Sequence, residues 1–145
     1  MGKVAAELTS LLQTQQVGES LPFLPLINAK QVMHPQTQNL DFKNGKGIRF
    51  LTMYSQGLVP INNHELIYTF QGLTSDGKYY IAAVLPVTNP QLPADPTVNE
   101  QLTGVGSEYQ NYISKTASLL NQEPADRFAP DLSKLDAMIR SLEVK

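Results

Sequence analysis

The spacing of hydrophobic positions changes several times along the chain, and each change marks an element. In residues 3–16, Val4, Leu8, Leu11 and Leu12 recur at the spacing of one helical face. Gly18 follows as a stop, because glycine accepts the left-handed backbone common just past a helix C-terminus. An amphipathic helix packed by a single stripe is expected there. Residues 19–38 lose that period. Three prolines interrupt LPFLPLINAKQVMHPQ, and each removes a backbone donor and fixes φ. Their apolar neighbours argue against a loose linker. The segment reads as an extended arm lying on the body, with a short strand at 30–33.

A period of two comes next. Residues 39–43 put Leu40 and Phe42 on one side and Asp41 on the other. In IRFLTMYSQ, residues 48–56, Ile48, Phe50 and Tyr54 share a face and Leu51 and Met53 take the other. Residues 65–72 set Leu66, Tyr68 and Phe70 opposite Ile67. Residues 78–87 set Tyr79, Ile81, Ala83 and Leu85 opposite Tyr80, Ala82 and Val84. Asn44-Gly45 and Asp76-Gly77 supply two-residue hairpin chemistry, which makes neighbouring strands antiparallel. A sheet wetted on one face alternates cleanly, yet the second and fourth of these strands are apolar on both. Helices are therefore expected on both faces, with Ala82 and Ala83 small enough for close approach.

Residues 88–104 carry three prolines and read as a surface loop. Ser107, with Gln110 three residues on, forms a capping-box pattern. It opens a helix with the stripe Tyr109, Tyr112, Ile113, Leu119 and Leu120. NQEPADRFAP breaks that helix. Pro130 suits a first helical turn and Asp131 the positive helix end. Leu132, Leu135, Met138, Ile139 and Leu142 then form a last stripe. The expected fold is a single α+β domain over residues 1–145, with residues 19–38 as the packed arm. An antiparallel meander of four strands, or slightly more, lies between the first helix and arm on one face and the C-terminal helices on the other.

Composition narrows the function. A chain of 145 residues buries about two thirds of its unfolded surface. Charged residues are 17%, against about 25% in ordinary domains. Gln, Asn and Pro replace them, a flavour common among exported bacterial proteins. The net charge is −2. The densest basic cluster, Lys43, Lys46 and Arg49, sits at one turn and makes no stripe for phosphates. Nucleic acid and anionic membrane surfaces are thus excluded as partners. No cysteine is present, which removes disulfides, thiolate nucleophiles and Cys-based metal sites. No apolar run reaches the ~18 residues of a membrane span, so this segment is not expected to insert directly. Met1-Gly2-Lys3 runs into the amphipathic pattern and not into an apolar signal region. Met1-Gly2 also suits an artificial start, in which case a signal or a further domain preceded it. An exported, periplasmic or lipid-anchored location is expected where the native chain carries such a signal.

Little catalytic chemistry is visible. His34 and His64 are the only histidines and lack local ligand spacing, so neither a metal nor a cofactor is expected. Ser75-x-x-Lys78 matches a serine–lysine pattern formally but spans a hairpin turn, and no G-x-S-x-G occurs. Asp41, Glu65 and Asp76 fall at strand ends, where solvated carboxylates are ordinary. Gly104-x-Gly106 precedes a helix without the other residues of a nucleotide loop. Tyr54, Tyr68, Tyr79 and Tyr80 place amphipathic rings on the strands, as core or as the lining of a groove. Asn62-Asn63-His64, after Pro60, is either a polar bend or a recognition loop. The candidate binding residues are Tyr54, Asn62, Asn63, His64 and Tyr79.

At the C-terminus LDAMIRSLEVK, a closing helix ending in Ser-Leu, resembles the end of PsbP-like domains. The meander IRFLTMYSQ … ELIYTFQGLTSDGKYYIAAVLPV is similar to the central antiparallel sheet of that α/β/α fold. The resemblance spans roughly residues 40–144. It implies the fold and transfers no site, since no metal- or Ran-binding residue of that family maps onto this chain. The loop 88–104 and the proline-rich arm depart from its simplest pattern. LPFLPLINAKQVMHPQTQNLDFKNGKGIRFLTMYSQ with VPINNHELIYTFQGL more closely resembles an uncharacterised family of cyanobacterial and Chloroflexi-type proteins, which implies no activity. The leading expectation is a non-catalytic binding or accessory domain, perched on a longer exported lipoprotein and engaging a protein or small ligand at the sheet rim. The alternatives are a hydrolase using His64 with a carboxylate such as Glu65, and a structural module of an extracellular assembly. The balance leans away from an enzyme.

Overall fold

The computed structural model describes residues 2–14, 20–27, 29–55, 59–95, 97 and 108–145. Gly18, Gln56, Gly104, Gly106 and Ser107, each given a role by the pattern, lie outside the described residues. The elements in chain order are α1 (Gly2–Thr14), β1 (Lys30–Gln31), β2 (Gln38–Phe42), β3 (Gly45–Thr52), β4 (Tyr54–Ser55), β5 (Ile67–Thr74) and β6 (Tyr80–Pro86). Helices α2 (Glu108–Gln122) and α3 (Leu132–Arg140) follow, separated by a 3₁₀ turn at Ala125–Arg127. The architecture is α+β, as expected. The main sheet runs β2-β3-β5-β6 with every pair antiparallel, and β1 and β4 form a two-stranded sheet beside it. The strand predicted over residues 48–56 therefore splits at Met53. Its first part joins the meander and its last residues leave to pair with the arm.

The period-two reading assigns the faces correctly. Leu40, Phe42, Leu51, Met53, Tyr68 and Phe70 pack with the buried residues of α2 and α3. Ile48 and Phe50 pack on the other face against Leu8 and Leu11 of α1 and Leu21 and Phe23 of the arm. Gly47 and Gly72, paired across β3 and β5, lie against the Phe70 ring, where any Cβ would collide. That ring meets Phe42 edge-on at 5.8 Å.

The hairpins depart in detail. The first loop is Lys43-Asn44, closed by Phe42 opposite Gly45, one residue earlier than the Asn-Gly pattern suggests. Tertiary contacts outweigh local turn preference here. A Cβ on Gly45 would strike Phe42 and the Leu73 carbonyl, and the Asn44 amide is occupied by the C-terminal tail. Asn44 Nδ2 donates to the Val144 carbonyl at 2.6 Å, and the Val144 N–H donates back to Oδ1 at 3.0 Å. In the second hairpin, Thr74 and Tyr79 close a longer loop centred on Asp76-Gly77. Gly77 has φ of 73°, the left-handed region that glycine tolerates. Asp131 caps α3 by accepting from the Ser133 N–H at 2.8 Å, so Pro130 precedes the helix and does not occupy its first turn.

The expectation of full cover fails at one strand. Met53 is fully buried, but Val84 is 42% exposed and Ala82 is open. Alpha1 and the arm cover β3 and β5 and reach the edge strand β6 only at Tyr80, which leaves Ala82 and Val84 uncovered. On the opposite face Ile81, Ala83 and Leu85 do pack against the larger core.

Two buried glutamines explain how a proline-rich arm can lie on a sheet without joining it. Backbone groups taken out of water need partners. Gln31 Oε1 accepts from the Leu21 N–H at 2.8 Å while its Nε2 donates to the Leu21 carbonyl at 3.1 Å. Gln71, in the middle of β5, grips Leu24 in the same way, at 2.8 and 3.2 Å.

Candidate functional site

The polar bend between β4 and β5 is built to hold itself. Asn62 is fully buried. Its Nδ2 donates to the Pro60 carbonyl at 2.8 Å and to Glu65 Oε1 at 3.2 Å, and its Oδ1 accepts from the Glu65 N–H at 3.0 Å. Asn63 ties this bend to the loop after β6. Its Oδ1 accepts from the Asn89 N–H at 2.9 Å, and its Nδ2 donates to the Asn89 carbonyl at 3.1 Å. His64 is exposed on the same turn. Asp95 is held below the ordinary carboxylate value chiefly by hydrogen bonds from Thr97, with a smaller contribution from His64.

The other two candidates lie elsewhere. Tyr54 is on the arm-covered face, where its ring packs on Phe23 at 5.0 Å and its hydroxyl accepts from Gln31 Nε2 at 2.9 Å. Burial raises its pKa, and the Gln31 bond partly offsets this. Tyr79 is 54% exposed beside the β5–β6 turn. The structure thus gathers Asn62, Asn63 and His64 on one bend and separates them from Tyr54 and Tyr79. Glu65, the carboxylate considered with His64 for hydrolysis, is turned toward Asn62.

A buried polar chain that the pattern did not single out links the layers. Arg49 Nε lies 3.3 Å from Asp136 Oδ1, an ion-pair contact whose N–H is not aimed for a hydrogen bond. Tyr68 donates its hydroxyl to the same oxygen at 2.7 Å. Burial, followed by the Asp136 hydrogen bond and its charge, pushes the Tyr68 pKa far upward. Arg49 Nη1 also donates to the Gln36 carbonyl at 2.6 Å. Gln36, at φ of 60°, closes the end of α2 by donating Nε2 to the carbonyls of Leu120 and Glu123 at 2.8 and 3.0 Å. The signal was present in the sequence: Arg49 and Asp136 each interrupt an otherwise apolar face.

Alpha2 stands between the bend and the arm. On one side Tyr109 donates its hydroxyl to the Val59 carbonyl at 2.7 Å, and Tyr112 accepts from the Ile61 N–H at 2.9 Å. On the other side an open groove of about 600 Å³ separates α2 from residues 30–35 of the arm. Lys30 and His34 contribute from the arm, and Gln110, Ser114, Ser118 and Asn121 from the helix. Among the described residues, no Asp or Glu lines it. The groove therefore offers a cation, an imidazole, hydroxyls and amides, which suits recognition of a polar ligand bearing negative charge.

Among the described residues, no group of three His, Asp or Glu side chains converges as a metal site. No helix there is long and apolar enough to cross a membrane. No protein-family model matches the chain, and neither the curated proteins nor the solved structures include a significant match.

Proposed function

We propose that the chain is a non-catalytic binding or accessory domain that receives an extended acidic segment of a partner protein in the groove beside α2. The observation carrying this reading is the charge of the lining: Lys30 supplies a cation, and no carboxylate is present among the described lining residues. The groove's volume lies within the usual range of about 300–1,000 Å³ for ligand sites, but its walls are polar. A polar segment able to use hydroxyl and amide partners suits it better than an apolar molecule. The short strand β1 (Lys30–Gln31) in this wall favours an extended ligand lying parallel to it. The bend supports the non-catalytic part of the reading. Its asparagines, and Glu65, are committed to the framework, which leaves His64 without a convergent pair of partners on that turn.

The weakly charged surface supports placing this domain on a longer exported protein, and the α/β/α layering supports the PsbP-like affinity. The test of the binding site is a titration of the labelled protein with a synthetic peptide of alternating glutamate and glycine, followed by amide NMR. Shifts are expected along residues 30–34 and on Gln110, Ser114 and Ser118. Shifts confined to other surfaces, or none at all, would overturn the proposal.

A further inference from the structure

The exposed edge of β6 carries a definite hydrogen-bonding pattern. In an antiparallel ladder, residue pairs that exchange backbone bonds alternate with pairs that do not. Thr74 N–H donates to Tyr79 O at 3.0 Å and Val87 N–H to Leu66 O at 3.3 Å. With the observed register, Ile81, Ala83 and Leu85 bond inward to Gly72, Phe70 and Tyr68. Tyr80, Ala82, Val84, Pro86 and Thr88 must therefore point their backbone groups away from the sheet.

Thr88 confirms this parity, because it is paired on that outer side with Ala129, exchanging bonds of 2.9 and 3.0 Å. Pro86 has no N–H to offer. Among the described residues nothing pairs with the backbone of Tyr80, Ala82 or Val84 on the outer side. The side chains of Ala82 and Val84 are also exposed. An open edge is ordinarily blunted by charge, proline or a bulge. Here no charged residue occurs between Lys78 and the end of β6.

We propose that this edge pairs with the same edge of a second copy of the chain, joining the two sheets across a two-fold axis. The window is self-complementary. Placing Ala82 opposite Ala82 of the second copy sets Tyr80 against Val84 in both directions, and all these residues present outward groups. Isologous pairing of this kind uses one patch twice. Lys78 of the second copy then falls opposite Pro86, one bonded pair short of the Thr88–Ala129 bridge. Like charges are kept apart, because the paired window holds none. A charged partner strand would gain nothing from this edge, whereas a neutral one repeats its own chemistry.

Sedimentation of the full chain over a series reaching the millimolar range tests this, with amide hydrogen exchange at each concentration. A concentration-dependent dimer is expected, with Ala82 and Val84 amides slowing as it forms and Ala83 unchanged. Ala82→Pro removes an outward N–H and no bond to β5, so it should weaken association at least about tenfold with little change in Tm. Ala82→Lys puts two cations opposite one another across the axis and should also prevent pairing. Mixing Ala82→Lys with Ala82→Glu should restore the dimer. A wild-type chain that stays monomeric throughout, or a lysine variant that dimerises like wild type, would overturn the proposal. Failure of the opposite-charge mixture to associate would do the same.

Discussion

Two polar regions flank α2, and they use similar residues to opposite ends. In the bend, Asn62 and Asn63 aim their amides at backbone groups, and Asn62 is completely enclosed. In the groove, Gln110, Ser114 and Ser118 are exposed on the helix and face open space across from Lys30 and His34. The difference is geometric. A tight bend withdraws backbone groups from both water and ladder, so nearby amides are consumed in satisfying them. A helix satisfies its own backbone, so side chains on its surface stay available to a ligand. Polar residues in a loop are therefore weaker evidence of recognition than the same residues on a regular element facing a cleft.

The variants that separate these roles differ in size. The strongest framework effect is expected at Asp136→Ala, which leaves Arg49 buried without its ion-pair partner. A loss of about 3–5 kcal/mol of stability is expected, read by urea unfolding. Asn62→Ala comes next. It strips the Pro60 carbonyl and the Glu65 N–H of partners and should cost about 1–3 kcal/mol, while affinity for the acidic peptide holds in the folded fraction. Lys30→Glu should behave in the opposite way. Stability should change by no more than about 0.5 kcal/mol, as for other surface sites, whereas peptide affinity should fall about tenfold.

A smaller effect is expected with pH. Hydrogen bonds from Ser133 hold Asp131 below the ordinary carboxylate value. A depressed folded pKa contributes stability above the unfolded value of about 3.9, and that contribution is lost as pH falls through the folded one. Asp131→Asn should therefore flatten the acid limb of the stability profile and leave peptide binding near neutral pH untouched.

Much of the fold was legible because side-chain alternation in a strand survives any tertiary context. Leu51 and Met53 against Ile48 and Phe50 fell on the predicted faces. What escaped depends on partners far along the chain. The Lys43-Asn44 loop is set by Val144, and the arm is held by Gln71, 47 residues away from Leu24. No local pattern marks either residue as a clasp. Beta6 looked two-sided because its apolar residues do fall on both faces, but composition does not reveal how far a covering helix extends. The groove lay beyond sequence reasoning for the same reason. Its walls come from residues 30–35 and from α2, and neither carries a motif. By contrast Arg49 and Asp136 could have been paired from the sequence, since each is a charge set within an apolar stripe of opposite elements.

The most direct test is to measure Tm and affinity for the glutamate–glycine peptide side by side in Asn62→Ala and Lys30→Glu. The account predicts a lowered Tm with retained affinity for Asn62→Ala, and an unchanged Tm with weakened affinity for Lys30→Glu. Retained affinity in Lys30→Glu, together with loss of binding in folded Asn62→Ala, would contradict it and return recognition to the bend.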